Sequence, residues 1–240
     1  MGRAYEVRKA SIQKTGAAKA KIYSMYAREI YQAAKNGGTS LDANASLKRL
    51  VEKSKKDQIP GDIIKRAIDK VNSGADEAYE EVNYELFGPA GSTLIVSCLT
   101  DNVNRSISSV RTVVNKCHVK LGAMGSVSYQ YENLCVVGFK GLNEEETLDV
   151  LIEAGVDVLD IEIEEGITII YGNPKDLHDI KKAVESALPN IEFDIDEITW
   201  IVKEKIQLTV IEEKELFDKL LTMLEDIDDV QNVYHNVELD

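Results

Sequence analysis

"LCVVGFKG" (134–141), "NEEETLDVLIEA" (143–154), "VDVLDIEIEEGITIIYG" (156–172), "NPKDLHDIKKAVESAL" (173–188) and "IEFDIDEITWIV" (191–202) follow one another and decide how this chain folds. The first is a short apolar run of strand-forming residues. The second opens on an asparagine cap with three acids in the first turn, where a helix dipole favours negative charge. The third is two strands around an Glu-Glu-Gly turn, the fourth a helix opened by Asn and Pro, and the fifth an alternating strand. Strand–helix–strand–strand–helix–strand is the split βαβ, or ferredoxin-like, arrangement.

On either side lie unfinished pieces. Upstream, "VNYELF" (82–87) alternates, "GPAG" (88–91) turns and "STLIVSCLT" (92–100) is rich in β-formers. In "TDNVNRSISSVRTVVNK" (100–116), Thr100, Asp101 or Asn102 can cap a helix whose stripe is Val103, Ile107, Val110 and Val114. "VKLGAMGSVSYQYE" (119–132) returns to strand chemistry, broken by Gly122 and Gly125. Downstream, Thr209 is the expected cap of a helix through Leu224, and "VQNVYHNVEL" (230–239) is a closing strand. The upstream half lacks a completed sheet and the tail lacks a home. The economical topology makes 134–205 an insertion within a discontinuous α+β domain formed from 77–133 and 206–240.

The amino end has a different period. Ile22, Met25, Tyr26, Ile30 and Ala33 recur at helical steps, and "NGG" (36–38) ends that helix. A second helix fits 42–56 with Leu47, Leu50 and Val51 inward, and a third begins at Pro60, with Ile63, Ile64, Ala67, Ile68 and Val71 on its apolar face. "NSGAD" (72–76) reads as a linker. The fold class is therefore an α+β multidomain protein: an N-terminal three-helix bundle over 1–76, an α+β middle domain, and a ferredoxin-like domain inserted in it.

Charge divides along the same lines. The chain of 240 residues carries a formal −14, but residues 1–72 hold 16 basic against 7 acidic residues, a balance of +9, while 73–240 hold 12 against 35, a balance of −23. Residues 134–205 alone hold 6 against 18, a balance of −12. With a Debye length of about 8 Å, distant acidic lobes barely weaken a basic face, yet they repel polyanions elsewhere. Arg3, Arg8, Lys9, Lys14, Lys19, Lys21, Arg28 and Lys35 are the candidate nucleic-acid contacts. Tyr5, Tyr23, Tyr26 and Tyr31 lie among them; tyrosine can stack on an unpaired base, although Tyr26 falls on the buried stripe. Residues 8–16, small, polar and glycine-containing, are expected to order on nucleic acid.

Other chemistries find little support. Cys98, Cys117 and Cys135 are odd in number and lack a CxxC pair, which argues against a disulfide framework and for packing residues in a reducing compartment. Cys117 beside His118 makes a poor zinc site without a second pair. His118, His178 and His235 fall in separate elements, and the nucleophile-elbow, zincin and phosphate-loop motifs are missing, so neither an enzyme nor a cofactor is expected. Asp194 and Asp196 share a strand face, a pattern more typical of solvated acids than of a metal site. No apolar run reaches the roughly 18–20 residues of a membrane span. The amino end lacks the apolar core of a secretory signal and is too poor in Arg and Ser for a transit peptide. The ferredoxin-like domain presents aliphatics where an RNA-recognition sheet needs aromatics, and its charge repels phosphate; a small-molecule sensor, an interaction module or plain scaffold fits it better.

Three blocks in order, "YELFGPAGSTLIVSCLTDNVNRSISSVR" (84–111), "LGAMGSVSYQY" (121–131) and "LEDIDDVQNVYHNVEL" (224–239), resemble the YebC/PmpR family nearly end to end. The "MGRAYEVRKASIQK" start is similar to a branch beginning Met-Gly-Arg rather than to the commoner form with a Gly-His-Ser-Lys-Trp segment. The resemblance implies a helical domain followed by two α+β domains, the last inserted in the second. It also implies a cytoplasmic DNA-binding transcriptional regulator, or alternatively a ribosome-associated translation factor that binds ribosomal RNA or mRNA and relieves stalled translation. The implied partners are DNA or ribosomal RNA, with the ribosome or the transcription machinery, and no membrane. A protein-interaction adaptor working through its acidic lobes is the third reading. No recognition-helix motif is readable, so phosphate and shape reading are favoured over base-edge reading.

Overall fold

The computed structural model describes residues 19–75 and 77–238. Mixed α and β structure is divided between two units, one holding 17–130 and 202–240, the other 131–201.

In the first unit, helices α1 (Lys19–Gly37), α2 (Ala45–Lys56) and α3 (Gly61–Asn72) pack around Ile30, Tyr31, Ala34, Leu47, Val51, Ile64 and Ala67. Asn44 organises the α1–α2 corner. Its Oδ1 accepts from the Leu47 amide at 3.0 Å as the α2 cap, and its Nδ2 donates to the carbonyls of Ala33 and Gly38, both at 2.8 Å. One side chain thereby satisfies orphan groups at the end of one helix and the start of the next. Pro60 is the residue before α3 rather than its first helical position.

The first sheet has strand order β3-β1-β2-β8, from β1 (Glu80–Phe87), β2 (Thr93–Thr100), β3 (Lys120–Leu121) and β8 (Val230–His235). β8 pairs antiparallel with β2, placing Leu94 opposite His235 and Val96 opposite Val233. Helices α4 (Val103–Lys116) and α7 (Ile211–Glu225) bury Val110, Val113, Phe217, Leu220 and Leu224 against Leu86, Leu94, Val96 and Cys98. Asn102 is the residue that caps α4, accepting from the Arg105 amide at 3.0 Å.

Two local expectations fail here. Within 119–130 only Lys120–Leu121 forms a strand, and the rest is a loop wound round Glu85. The Glu85 carboxylate accepts from the amides of Gly125 at 2.7 Å, Val127, and Ser128 at 3.0 Å. Burial pushes this carboxyl up, but the three amides outweigh it and hold it below its usual 4.5. Gly122 is required because an added Cβ would meet the Ser126 hydroxyl, Phe87 at 3.1 Å and the Glu85 carbonyl at 3.2 Å. Thr209 likewise does not cap the last helix: α7 starts two residues later, preceded by Val210 without a side-chain cap, and Glu212 and Glu213 instead complement its dipole.

The second unit contains β4 (Tyr131–Phe139), α5 (Glu144–Glu153), β5 (Asp160–Glu164), β6 (Ile167–Gly172), α6 (Leu177–Ala187) and β7 (Ile195–Val202), with strand order β5-β6-β4-β7. Asn143 and Glu146 form a reciprocal capping box on α5. The β5–β6 turn uses positive φ at Glu165 and Gly166, the geometry that suits strand twist. One sheet face buries Val137, Phe139 and Ile170 with Leu151, Ile180 and Val184 of the helices; the other buries Val136, Ile169, Tyr171 and Ile195. β4 begins three residues before the expected boundary at 134 because Tyr131 is already buried in the strand.

Candidate nucleic-acid interface

Helix α1 carries all four of the described candidates, Lys19, Lys21, Arg28 and Lys35, and its inward face fixes where they point. Tyr26 and Tyr31 are buried; the Tyr26 hydroxyl donates to Asp57, and the Tyr31 hydroxyl donates to the Ala75 carbonyl at 2.6 Å and accepts from the Glu77 amide at 3.0 Å. Tyr23 packs against the same core. These three rings are structural, which corrects the idea that they offer stacking surfaces. The Tyr26 and Tyr31 hydroxyls bond within the fold, so their burial is satisfied rather than strained.

Arg3, Arg8, Lys9 and Lys14 lie outside the described residues, as does Tyr5. Lys19 is exposed at the start of α1. Lys35 is exposed, and its Nζ donates to the Glu77 carbonyl at 2.8 Å. Lys21 is half-buried and donates to the Ile227 carbonyl at 3.0 Å. Burial lowers its pKa from 10.5, against the opposing pull of Asp226, Asp228 and Glu225.

Arg28 is the largest departure from a solvent-facing set. Its side chain is only 11% exposed and pairs with Asp229 at 3.2 Å. It also donates to the Leu99 carbonyl at 3.3 Å and to the Asp228 carbonyl. Asp229, 6% exposed in its side chain, accepts further from Arg105 Nη2 at 2.9 Å and from the Thr100 hydroxyl at 3.0 Å. Arg105 reaches back to Asp101 at 2.6 Å. Asp229 and Asp101 together push the Arg105 guanidinium up, while Arg105 holds Asp101 below its usual 3.8. The "TDNVNR" and "EDIDD" segments thus meet as one clamp that binds α1 to the first sheet. Arg28 holds the helical module in place, and its charge is compensated inside the protein.

Beside this clamp runs a groove of about 1030 Å³ lined by five basic and five acidic side chains, Arg66, Lys70, Glu77 and Asp228 among them. A phosphate entering it would meet as many carboxylates as cations. The outward cations instead include Lys48 and Lys55 on α2 and Lys65 on α3, all exposed. These were missed by attention to the first 35 residues, although the α2 sequence ASLKRLVEKSKK displays them plainly. Arg105 and Asp229 were missed for a different reason: they stand 124 positions apart and only the fold joins them.

The second unit adds no phosphate site. Its central strands bury both faces, and their aromatics Phe139 and Tyr171 are fully buried in the core, so no ring is presented for stacking; Asp196 pairs with Lys181 at 2.6 Å instead of joining Asp194 in a carboxylate cluster. Among the described residues no group of three potential ligands could hold a metal ion, and no helix is long and apolar enough to cross a membrane. All three cysteines are buried and unlinked, with burial pushing Cys98 and Cys135 up to about 11.

Residues 3–74 match the TACO1/YebC protein N-terminal domain and residues 79–237 the TACO1/YebC second and third domain. The chain belongs to the TACO1/YebC family. A TACO1/YebC relative from Alteromonas mediterranea, named a probable transcriptional regulatory protein, is 46% identical, with 98% of each chain covered. One of the same description from Vibrio parahaemolyticus is 45% identical over the full length of both. In structure the chain resembles a conserved hypothetical protein from Aquifex aeolicus, with a TM-score of 0.73 at 35% identity, covering 94% of this chain and 93% of that one.

Proposed function

We propose that this protein is a non-enzymatic, nucleic-acid-binding regulator of gene expression in the cytoplasm, first of all a DNA-binding transcriptional regulator. The segregation of charge carries the reading: +9 over residues 1–72 against −23 over the rest, from 16 basic and 7 acidic residues against 12 and 35. The names of the Alteromonas and Vibrio relatives support the regulatory part. The same reading takes 1–76 as a basic helical domain, 77–133 with 206–240 as a discontinuous α+β domain, and 134–205 as a ferredoxin-like domain inserted in it.

Phosphate contact falls to Arg3, Arg8, Lys9, Lys14, Lys19 and Lys35, with Lys48, Lys55 and Lys65 as outward cations of the same module. Lys21 and Arg28 serve by holding α1 against the first sheet. With Tyr26 and Tyr31 buried, binding rests on phosphates and shape rather than on stacked bases. A salt titration tests this. Five neutralised phosphates on duplex DNA give a slope of log K against log salt of about −4 to −5. A slope near zero contradicts the reading. Parallel titration on folded ribosomal RNA tests the translation-factor alternative: preference for RNA at every salt concentration transfers the target from DNA to the ribosome.

A further inference from the structure

The acidic unit carries an apolar strip that its own core does not use. On α5, Thr147 and Leu151 are buried, whereas Leu148 and Ile152, one helical turn apart, are 44% and 65% exposed. α5 packs against β5. In β5, Ile161 packs under the helices, and Ile163, two residues on and so on the same face, is 52% exposed. Leu159, at the entry to the strand, is 60% exposed. Single exposed apolar residues are ordinary, but four on adjoining elements form a patch of the kind that marks interaction surfaces.

The rim of this strip decides what fits it. Glu144, Glu145, Asp149, Glu153 and Asp157 are all exposed around it, within a segment of 6 basic and 18 acidic residues. Nucleic acid is repelled there. A second copy of this chain brings the same −12 to the interface and is disfavoured for the same reason. A cationic partner gains steering and register from the acids, while apolar side chains in its midst cover the strip.

We propose that α5 and β5 form a docking surface for a lysine- and arginine-rich amphipathic protein segment, with Leu148, Ile152, Leu159 and Ile163 as the apolar floor and the surrounding carboxylates as the rim. This surface uses residues of α5 and β5 alone and none of the cations assigned to phosphate contact.

The test uses the full chain and a synthetic amphipathic peptide of Lys and Leu, with leucines at every third or fourth position, and a scrambled peptide of the same composition. The amphipathic peptide is expected to bind and to shift the amide resonances of α5 and β5. Ile152→Asp, on an exposed position that does not disturb the core, is expected to weaken it about tenfold. Glu145→Gln with Asp149→Asn is expected to flatten its salt dependence, and neither variant changes affinity for duplex DNA. Equal binding of the scrambled peptide, shifts confined to other elements, or indifference to Ile152→Asp overturns the proposal. Binding that emerges only after residues 1–18 are removed also overturns it, because the strip would then belong to the chain's own basic segment.

Discussion

Replacing Asp229 with asparagine removes one charge from a site where three donors converge. Arg28 loses its only carboxylate partner among the described residues while staying 11% exposed, and a buried charge left uncompensated costs about 3–5 kcal/mol. Arg105 contributes far less to the loss. It is 51% exposed and keeps Asp101 at 2.6 Å, so its share is about 0–1 kcal/mol. Asparagine retains an acceptor for Thr100 and one arginine, which places the expected loss near the lower bound, about 3 kcal/mol. Urea denaturation of the full chain, followed by far-ultraviolet circular dichroism, measures it as an earlier transition of the first unit. Arg105→Met is expected to cost about 1 kcal/mol or less. Combining Arg28→Met with Asp229→Asn is expected to cost less than the sum of the two, because each already strands the other's partner. A stability of Asp229→Asn within about 0.5 kcal/mol of the parent, or strict additivity with Arg28→Met, refutes the clamp.

Three further outcomes follow from local geometry. Glu85→Gln is expected to lose about 1–3 kcal/mol at pH 7, since a charged acceptor of three amides becomes neutral. Because the folded Glu85 carboxyl lies below its usual 4.5, its contribution is present above that value and fades as pH falls through the folded pKa; the parent's acid unfolding is therefore steeper than the variant's, as a pH series of denaturation curves would show. Asn44→Ala removes the α2 cap and both donations to α1, an expected loss of about 2 kcal/mol measurable as a lowered midpoint; an unchanged midpoint contradicts the role given to that corner. Cys98 and Cys135, buried and with pKa values pushed up to about 11, are expected to react with a thiol reagent at pH 8 only on unfolding, while rapid labelling of the native chain would contradict their placement.

Legibility in the sequence followed the range of the forces. Helix α5 was readable because its cap, its acidic first turn and its apolar spacing act within ten residues, and the β5–β6 hairpin because the Gly of its turn supplies the backbone freedom it needs. The loop at 122–130 was misread as strand because its backbone is satisfied by Glu85, some 40 positions away, instead of by a neighbouring strand. Thr209 looked like a cap by residue type alone, but the helix begins after it with no side-chain cap. At the candidate site the basic composition of the helical module was plain, and the allocation of its members was not. Nothing local distinguishes Lys19, which faces solvent, from Arg28, whose partner Asp229 lies 201 positions away.

Reversing the charge of Arg8, Lys9, Lys14 and Lys19 together, and measuring duplex-DNA affinity across salt concentrations, probes most directly whether the basic end grips phosphate. Loss of affinity with a slope shallower by about 3 to 4 is the expected result, each cation accounting for roughly 0.9. Affinity and slope equal to the parent's would show that the amino-terminal cations do not meet a polyanion, and the functional account would be wrong.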